Sequence, residues 1–325
     1  MNPAPQQKPG NKLAVIAIGG NSLIRDKHHL KVEDQYREIT KTVRHIVEII
    51  KAGYEVVITH GNGPQVGFIL RRSEIAFAHE GLHFVPLESC VADTQGAIGY
   101  QIQQALRNEM KKHGISKQAV TVITQVRVDR DDPGFTTPTK PIGAFYDEVQ
   151  ASALEKKNPD WVMIQDAGRG FRRVVASPMP KEIVEMDTIT HLVDTGFCVI
   201  SGGGGGIPVI EAPDGSLQGV GAVIDKDFAS ALMARNLKAD LLIISTGVER
   251  VCLNFGKENE TPLSAITAAE ARTYLDQGHF EAGSMLPKIK AILWFLEHGG
   301  QKAIITRPEQ LKQAIAGQSG THIKK

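Results

Sequence analysis

The sequence predicts an α/β fold, an open and mainly parallel sheet flanked by helices. Three observations predict it. Apolar, β-rich runs alternate along the chain with segments of helical periodicity. The runs are largely unbroken, as in strands buried on both faces. Several end in glycine, at the strand ends where a parallel sheet binds its ligands.

The elements follow in order. Residues 1–11 are polar and proline-rich and are expected to form a disordered tail; residues 12–325 are expected to form the folded part. KLAVIAIGGN (12–21) is a buried strand that stops at Gly19-Gly20. Residues 36–53 have apolar positions at helical spacing and end at Gly53, a C-cap signal. EVVITHGNGPQVG (55–67) is a second strand with a second glycine turn, so the first three elements form a right-handed parallel crossover. Residues 119–129 read as one strand with partial alternation, 161–165 and 172–178 as shorter ones. FCVISGGGGG (197–206), ADLLIISTG (239–247) and KAIIT (302–306) complete the strands. Helical patterns lie between, at 87–114, 226–239 and 286–300. Residues 129–150, dense in Pro, Gly, Thr and Asp, break the rhythm and suggest a small β excursion that protrudes from the sheet.

Composition excludes several classes. Lys plus Arg is 37 and Asp plus Glu 36, so no charge excess argues for nucleic acid or an anionic membrane. No secretory h-region and no apolar run of membrane-spanning length appears. The three separated cysteines, Cys90, Cys198 and Cys252, fit a reducing cytoplasm better than a disulfide framework.

Five consecutive glycines, Gly202 to Gly206, carry a large entropic cost unless bare backbone is needed there. Main-chain amides at strand ends make an anion site, so the tract is read as lying against phosphate. Gly19-Gly20, Gly61 with Gly63, and Gly247 stand at comparable strand ends. GxxxxGK[ST] is missing and the glycine spacing does not fit a dinucleotide fingerprint. Three lysines suit a transferring phosphoryl group: Lys226 between Asp225 and Asp227, Lys140 between two prolines, and Lys288 just after Pro287. Each has a plainer reading. Asp225 or Asp227 caps a helix and Lys226 is solvated; Lys140 is an exposed loop lysine; Lys288 sits poorly at a helix start unless an anion is near. His60 is a strand-end histidine that packs or caps, His28-His29 a solvated loop, and the arginines of AGRGFRRV hairpin ion-pair partners. HExxH, GxSxG and Cys/His clusters are lacking, which removes support for a zinc or serine hydrolase.

In order along the chain stand AIGGNSL, HGNGPQVG, DTQGAIGYQI, DDPGFTTPTKPIGAFY, DAGRGFRRVVASP, GGGGIPVI, GVGAVIDKDFASALMA, DLLIISTGVERV and AGSMLPKIKA. Together they resemble the carbamate kinases of the amino acid kinase superfamily, from about residue 13 to 306. The resemblance implies a three-layer αβα sandwich around a roughly eight-stranded open sheet. It implies a carbamoyl phosphate lobe (about 12–220), a nucleotide lobe (about 221–325) and a protruding subdomain (about 125–175) that closes over the substrate. It implies a cytoplasmic homodimer using ATP or ADP with Mg2+, and reversible transfer of phosphate between carbamoyl phosphate with ADP and carbamate with ATP. ATP formation in arginine or purine/allantoin breakdown and carbamoyl phosphate synthesis would use the same site.

Matched motif by motif, the resemblance assigns Gly19, Gly20, Asn21, Gly61, Asn62, Gly63, Gly203, Gly204 and Gly205 to the carbamoyl phosphate pocket. Lys140, Lys226, Asp227 and Lys288 become catalytic. Asp225, Lys226, Thr246, Gly247, Val248, Met285 and Lys288 would contact the nucleotide, with Asp225 and Asp227 as carboxylates for the metal. Some positions depart from the family pattern: Cys252 and Phe255 stand where tyrosines are common, Glu258 where proline often follows, and Gln165 where an acid is usual. Two other readings stay open, a superfamily kinase for an amino acid carboxylate and a non-catalytic nucleotide-binding regulator.

Overall fold

The computed structural model describes residues 12–20, 23, 31–165, 170–281 and 283–325. The expected tail at 1–11, Asn21 and His28-His29 lie outside the described residues. The chain begins with β1 (Lys12–Ile18), α1 (Val32–Lys51), β2 (Tyr54–His60), α2 (Gln65–Glu80) and α3 (Leu87–Lys112). Next come β3 (Ala119–Thr121), β4 (Gln125–Val128), β5 (Lys140–Tyr146), α4 (Glu148–Lys157), β6 (Val162–Gln165) and β7 (Phe171–Val175). β8 (Pro180–Ile183), α5 (Met186–Asp194), β9 (Cys198–Ile200), β10 (Ile207–Glu211) and β11 (Leu217–Gly219) lead to α6 (Lys226–Asn236) and β12 (Leu241–Ser245). The remainder is β13 (Cys252–Leu253), β14 (Thr261–Pro262), β15 (Ala265–Thr267), α7 (Ala268–Asp276), α8 (Met285–Glu297), β16 (Lys302–Thr306), α9 (Leu311–Ile315) and β17 (Thr321–Lys324).

Eight strands form the main sheet in the order β15-β17-β16-β12-β1-β2-β9-β3. Every pairing is parallel except β16 with β17. Alternate residues along the strands feed two cores, because successive side chains point to opposite faces. Ala14, Ile16 and Ile18 pack with apolar residues of α1, α3 and α9, whereas Val15 and Ala17 pack with those of α5, α6, α7 and α8. This is the predicted αβα sandwich. β1 lies between β12 and β2, so the strand order departs in both directions from it, and the crevice above this switch point is where an open α/β sheet binds ligands.

Residues 119–129 are not one strand. β3 ends the main sheet, and β4 belongs to a four-stranded sheet ordered β11-β10-β4-β8. The corner is polar. Thr124 Oγ1 bonds Gly202 N and Ser201 Oγ, each at 2.9 Å, and holds the chain out of strand pairing there. The β excursion expected over residues 129–150 is part of a three-stranded antiparallel sheet, β5-β7-β6, whose first strand begins at Lys140. It is fastened to α2 and α3 by a seam that includes Val66, Leu70, Val91, Ile142 and Val175. A 3.1 Å Glu74–Arg173 ion pair adds to the seam, and the Arg173 guanidinium stacks 4.0 Å above the Trp161 ring.

Gly67 of α2 lies backbone to backbone against Gly143 of β5: a Cβ at Gly67 would stand 2.2 Å from the Gly143 Cα. A helix-interior Gly→Ala exchange ordinarily stabilises by about 1 kcal/mol. Gly67→Ala is expected to do the reverse, lowering stability by roughly 1–3 kcal/mol as overpacking does. Thermal unfolding checks the sign, and limited proteolysis checks that the small sheet has loosened.

Candidate functional site

The floor of the crevice is made by strand-end turns. Gly19 donates its amide to Ser245 O (3.1 Å), so a Cβ there would meet that carbonyl at 2.7 Å, and Gly20 faces open space. At the end of β2, His60 and Asn62 are buried, and a Cβ on Gly61 would touch the stem of Lys226. The glycine tract after β9 is buried. Its bareness has a reason the sequence did not reveal: the space is filled by protein. A Cβ on Gly203 would lie 2.4 Å from His60 Nε2, one on Gly204 2.1 Å from Asn62 Oδ1, and one on Gly205 2.3 Å from Ile224 O. Gly204 and Gly205 also have φ of +69° and +93°, which L side chains rarely adopt.

The charged groups meet at the start of α6. Asp225 is the N-cap, its Oδ1 accepting from the amides of Asp227 (2.9 Å) and Phe228 (3.4 Å). Its Oδ2 accepts from Lys140 Nζ at 2.7 Å. The capping reading therefore holds on one oxygen, while the other pairs with a lysine from β5. Asp227 is paired on one oxygen by Lys226 and on the other by Lys288 at 3.0 Å. Lys288 is tolerated in the first turns of α8 because that carboxylate is the anion its position requires.

Electrostatics follow from burial and sharing. Burial would push the Asp227 carboxyl up, but Lys226 and Lys288 outweigh it and hold the group well below the ordinary value. Burial likewise opposes ionisation of Asp225, and Lys140 outweighs it. Burial lowers Lys226, and Lys288 beside it adds to the effect, since two cations share one carboxylate. For Lys140 the burial penalty is more than offset by Asp225, and its pKa rises. Three ammonium groups thus face two carboxylates. The half-buried cluster is one negative charge short, a condition that favours an incoming anion.

A cleft of about 240 Å³ adjoins this cluster, between the turn after β12 and the start of α8. Thr246, Gly247, Val248, Met285 and Lys288 line it, and Lys288 is the residue it shares with the Asp227 pair. Asp225 and Lys226 are not in its lining. Arg250, His279, Glu281 and Ser284 are, and sequence reasoning assigned them nothing; their approach is purely tertiary. A larger hollow, about 940 Å³, runs along α3 and β3, but it contains none of the converging charges and is not the site.

A model of the amino acid kinase family matches residues 12–307. Carbamate kinase-like protein YahI of Escherichia coli is 54% identical over 97% of this chain and 99% of its own length. The carbamate kinase of Pyrococcus horikoshii is 48% identical, over 95% and 98%. The solved structure of Giardia lamblia carbamate kinase bound to AMP-PNP is 41% identical with a TM-score of 0.89, covering 97% of this chain and 99% of its own. The chain belongs to the carbamate kinases of the amino acid kinase family.

Two consequences for this kinase can be measured. Asp227→Asn leaves two buried ammonium groups without their carboxylate, and is expected to lower stability by about 3–5 kcal/mol in denaturant titration. His60 is held at about 4, against its ordinary 6.5, by burial, with the backbone bond to Gly61 opposing. The unfolded chain then takes up the proton first. Stability is complete above pH 6.5 and is expected to fall as pH drops toward 4, by about 1.4 kcal/mol per unit per histidine. Burial also depresses His322, so His60→Gln should remove only part of that slope in urea midpoints measured against pH.

Proposed function

We propose that this chain catalyses reversible phosphoryl transfer between carbamoyl phosphate with ADP and carbamate with ATP. The observation that carries the reading is the meeting of Lys140, Lys226 and Lys288 at Asp225 and Asp227, one anion short, beside a cleft that ends on Lys288. The names of the relatives point to the same substrate.

In this reading the glycine turns of residues 19–20, 61–63 and 203–205 hold carbamoyl phosphate, and the cleft at Thr246, Gly247, Val248 and Met285 holds the nucleotide. Residues 12–220 and 221–325 are the corresponding lobes. Lys288 meets the nucleotide phosphates, Lys226 the transferring phosphoryl group, and Lys140 reaches it from the small sheet. Asp225 and Asp227 keep the ammonium groups aimed. The bond from phosphorus to the carbamate oxygen breaks as the bond to the terminal ADP oxygen forms. Carbamate is itself an anionic nucleophile, so no general base is required, and catalysis is positioning plus charge neutralisation. Both carboxylates already hold ammonium groups, and the described residues contain no group of three potential metal ligands. Mg2+ therefore belongs with the nucleotide as its substrate complex. The direction that makes ATP would consume carbamoyl phosphate from arginine or purine/allantoin breakdown.

A homodimer in the cytoplasm completes the reading. Among the described residues β3 is an edge strand of the main sheet, and Ile123 and Tyr100 beside it are exposed.

The test is ATP formation from carbamoyl phosphate and ADP. Wild type is expected to be active and Lys226→Ala to lose about 10²–10³ in kcat, the cost of one preorganised charge contact. An inactive wild type, or a fully active Lys226→Ala, overturns the reading; glutamate, aspartate and acetylglutamate as acceptors with ATP test the amino acid kinase alternative.

A further inference from the structure

The segment DTQGAIGYQI of α3 has no part in the chemistry described above, yet it places two polar residues in the interior. Thr94 and Gln95 are 0% and 1% exposed. Buried polar groups in a helix that packs on a sheet cost stability unless every hydrogen-bonding capacity is used. Here both side chains have partners for their donors, and all the partners outside α3 lie in or beside the two glycine turns.

Gln95 spends its whole amide on two backbone segments. Its Oε1 accepts from Thr124 N at 2.8 Å, and its Nε2 donates to Thr124 O at 3.0 Å and to Gly203 O at 2.9 Å. The side chain thus acts as a strand partner for the corner between β3 and β4, and ties that corner to the glycine tract. The tie is doubled by the Thr124 hydroxyl, which accepts from Gly202 N. Thr94 holds the other turn. Its hydroxyl lies 2.5 Å from Asn62 Oδ1 and 2.7 Å from Val91 O, one proton for two acceptors. The Asn62 amide group in turn leans on Gly204, with Nδ2 3.5 Å from its carbonyl and Oδ1 where a Gly204 Cβ would stand. One helix turn therefore sets the spacing between the end of β2 and the end of β9.

We propose that Thr94 and Gln95 are positioning residues for the phosphoryl-donor pocket, acting through Asn62 and the Gly203–Gly205 backbone. The proposal rests on the assignment of the glycine turns to carbamoyl phosphate. It separates the two substrates: the nucleotide cleft is lined by residues from Thr246 onward and has no contact with this pair.

Thr94→Val keeps the shape and removes the hydroxyl; Gln95→Met keeps the length and removes both donors and the acceptor. Each is expected to raise KM for carbamoyl phosphate about tenfold, the net effect of losing between one and three neutral hydrogen bonds, with KM for ADP within about twofold of wild type. Thr94→Ser, which retains the hydroxyl, should restore the wild-type KM. In an Asn62→Ala background Thr94→Val should add less than about twofold, since its effect passes through Asn62. The proposal is overturned if both KM values rise together, or if Thr94→Val has its full effect without Asn62. It is also overturned if the variants lose ADP binding in calorimetry, which would make the pair part of the core alone. A wild type inactive on carbamoyl phosphate and ADP fails differently: it removes the substrate assignment itself, before any variant is compared.

Discussion

Asp227 stands between two ammonium groups, and much of the site depends on that arrangement. A carboxylate buried in the second position of a helix is costly by itself. It is stable here because Lys226 and Lys288 occupy its two oxygens, from the same helix and from α8. The pair fixes α8 against α6, and with it one wall of the cleft lined by Thr246, Gly247 and Val248. Asp225 extends the arrangement outward: one oxygen caps α6 and the other holds Lys140, so the small sheet is tied to the same helix start. The surplus cation among these five groups is the physical basis for an anionic ligand, and it exists because two lysines must share one carboxylate.

The glycine turns answer a different constraint. Gly203, Gly204 and Gly205 are bare because other parts of the protein press on them: His60, Asn62 and Ile224 occupy the places where side chains would be. Close approach of backbone to backbone leaves main-chain groups as the floor of the crevice, and the polar side chains of α3 hold that floor in register. That floor is built from packing rather than from charged side chains. The lysines then supply charge from above, each from a separate element.

Much of this was legible in the chain. Unbroken apolar runs ending in glycine announced a parallel sheet, because a strand covered on both faces needs no polar alternation. The motif around Lys226 announced phosphoryl chemistry once the other motifs stood in the same order. The strand predicted over residues 119–129 was misread, since its pattern is continuous while Thr124 turns the chain by bonds to Gly202 and Ser201 that are remote in sequence. The cleft residues Arg250, His279, Glu281 and Ser284 left no periodic or motif signal, because they are drawn from loops and a helix start that only folding brings together.

By itself, the sequence determined the αβα class, the strands that end in glycine turns, and which lysines and aspartates are candidates for the site. These depend on local pattern and on residue type. Tertiary structure alone decided which carboxylate meets which ammonium, why five glycines stand in a row, and where the small sheet begins. Those outcomes depend on contacts between residues far apart in the chain, such as Asn62 with Gly204, 142 positions away, whose distances no local periodicity encodes.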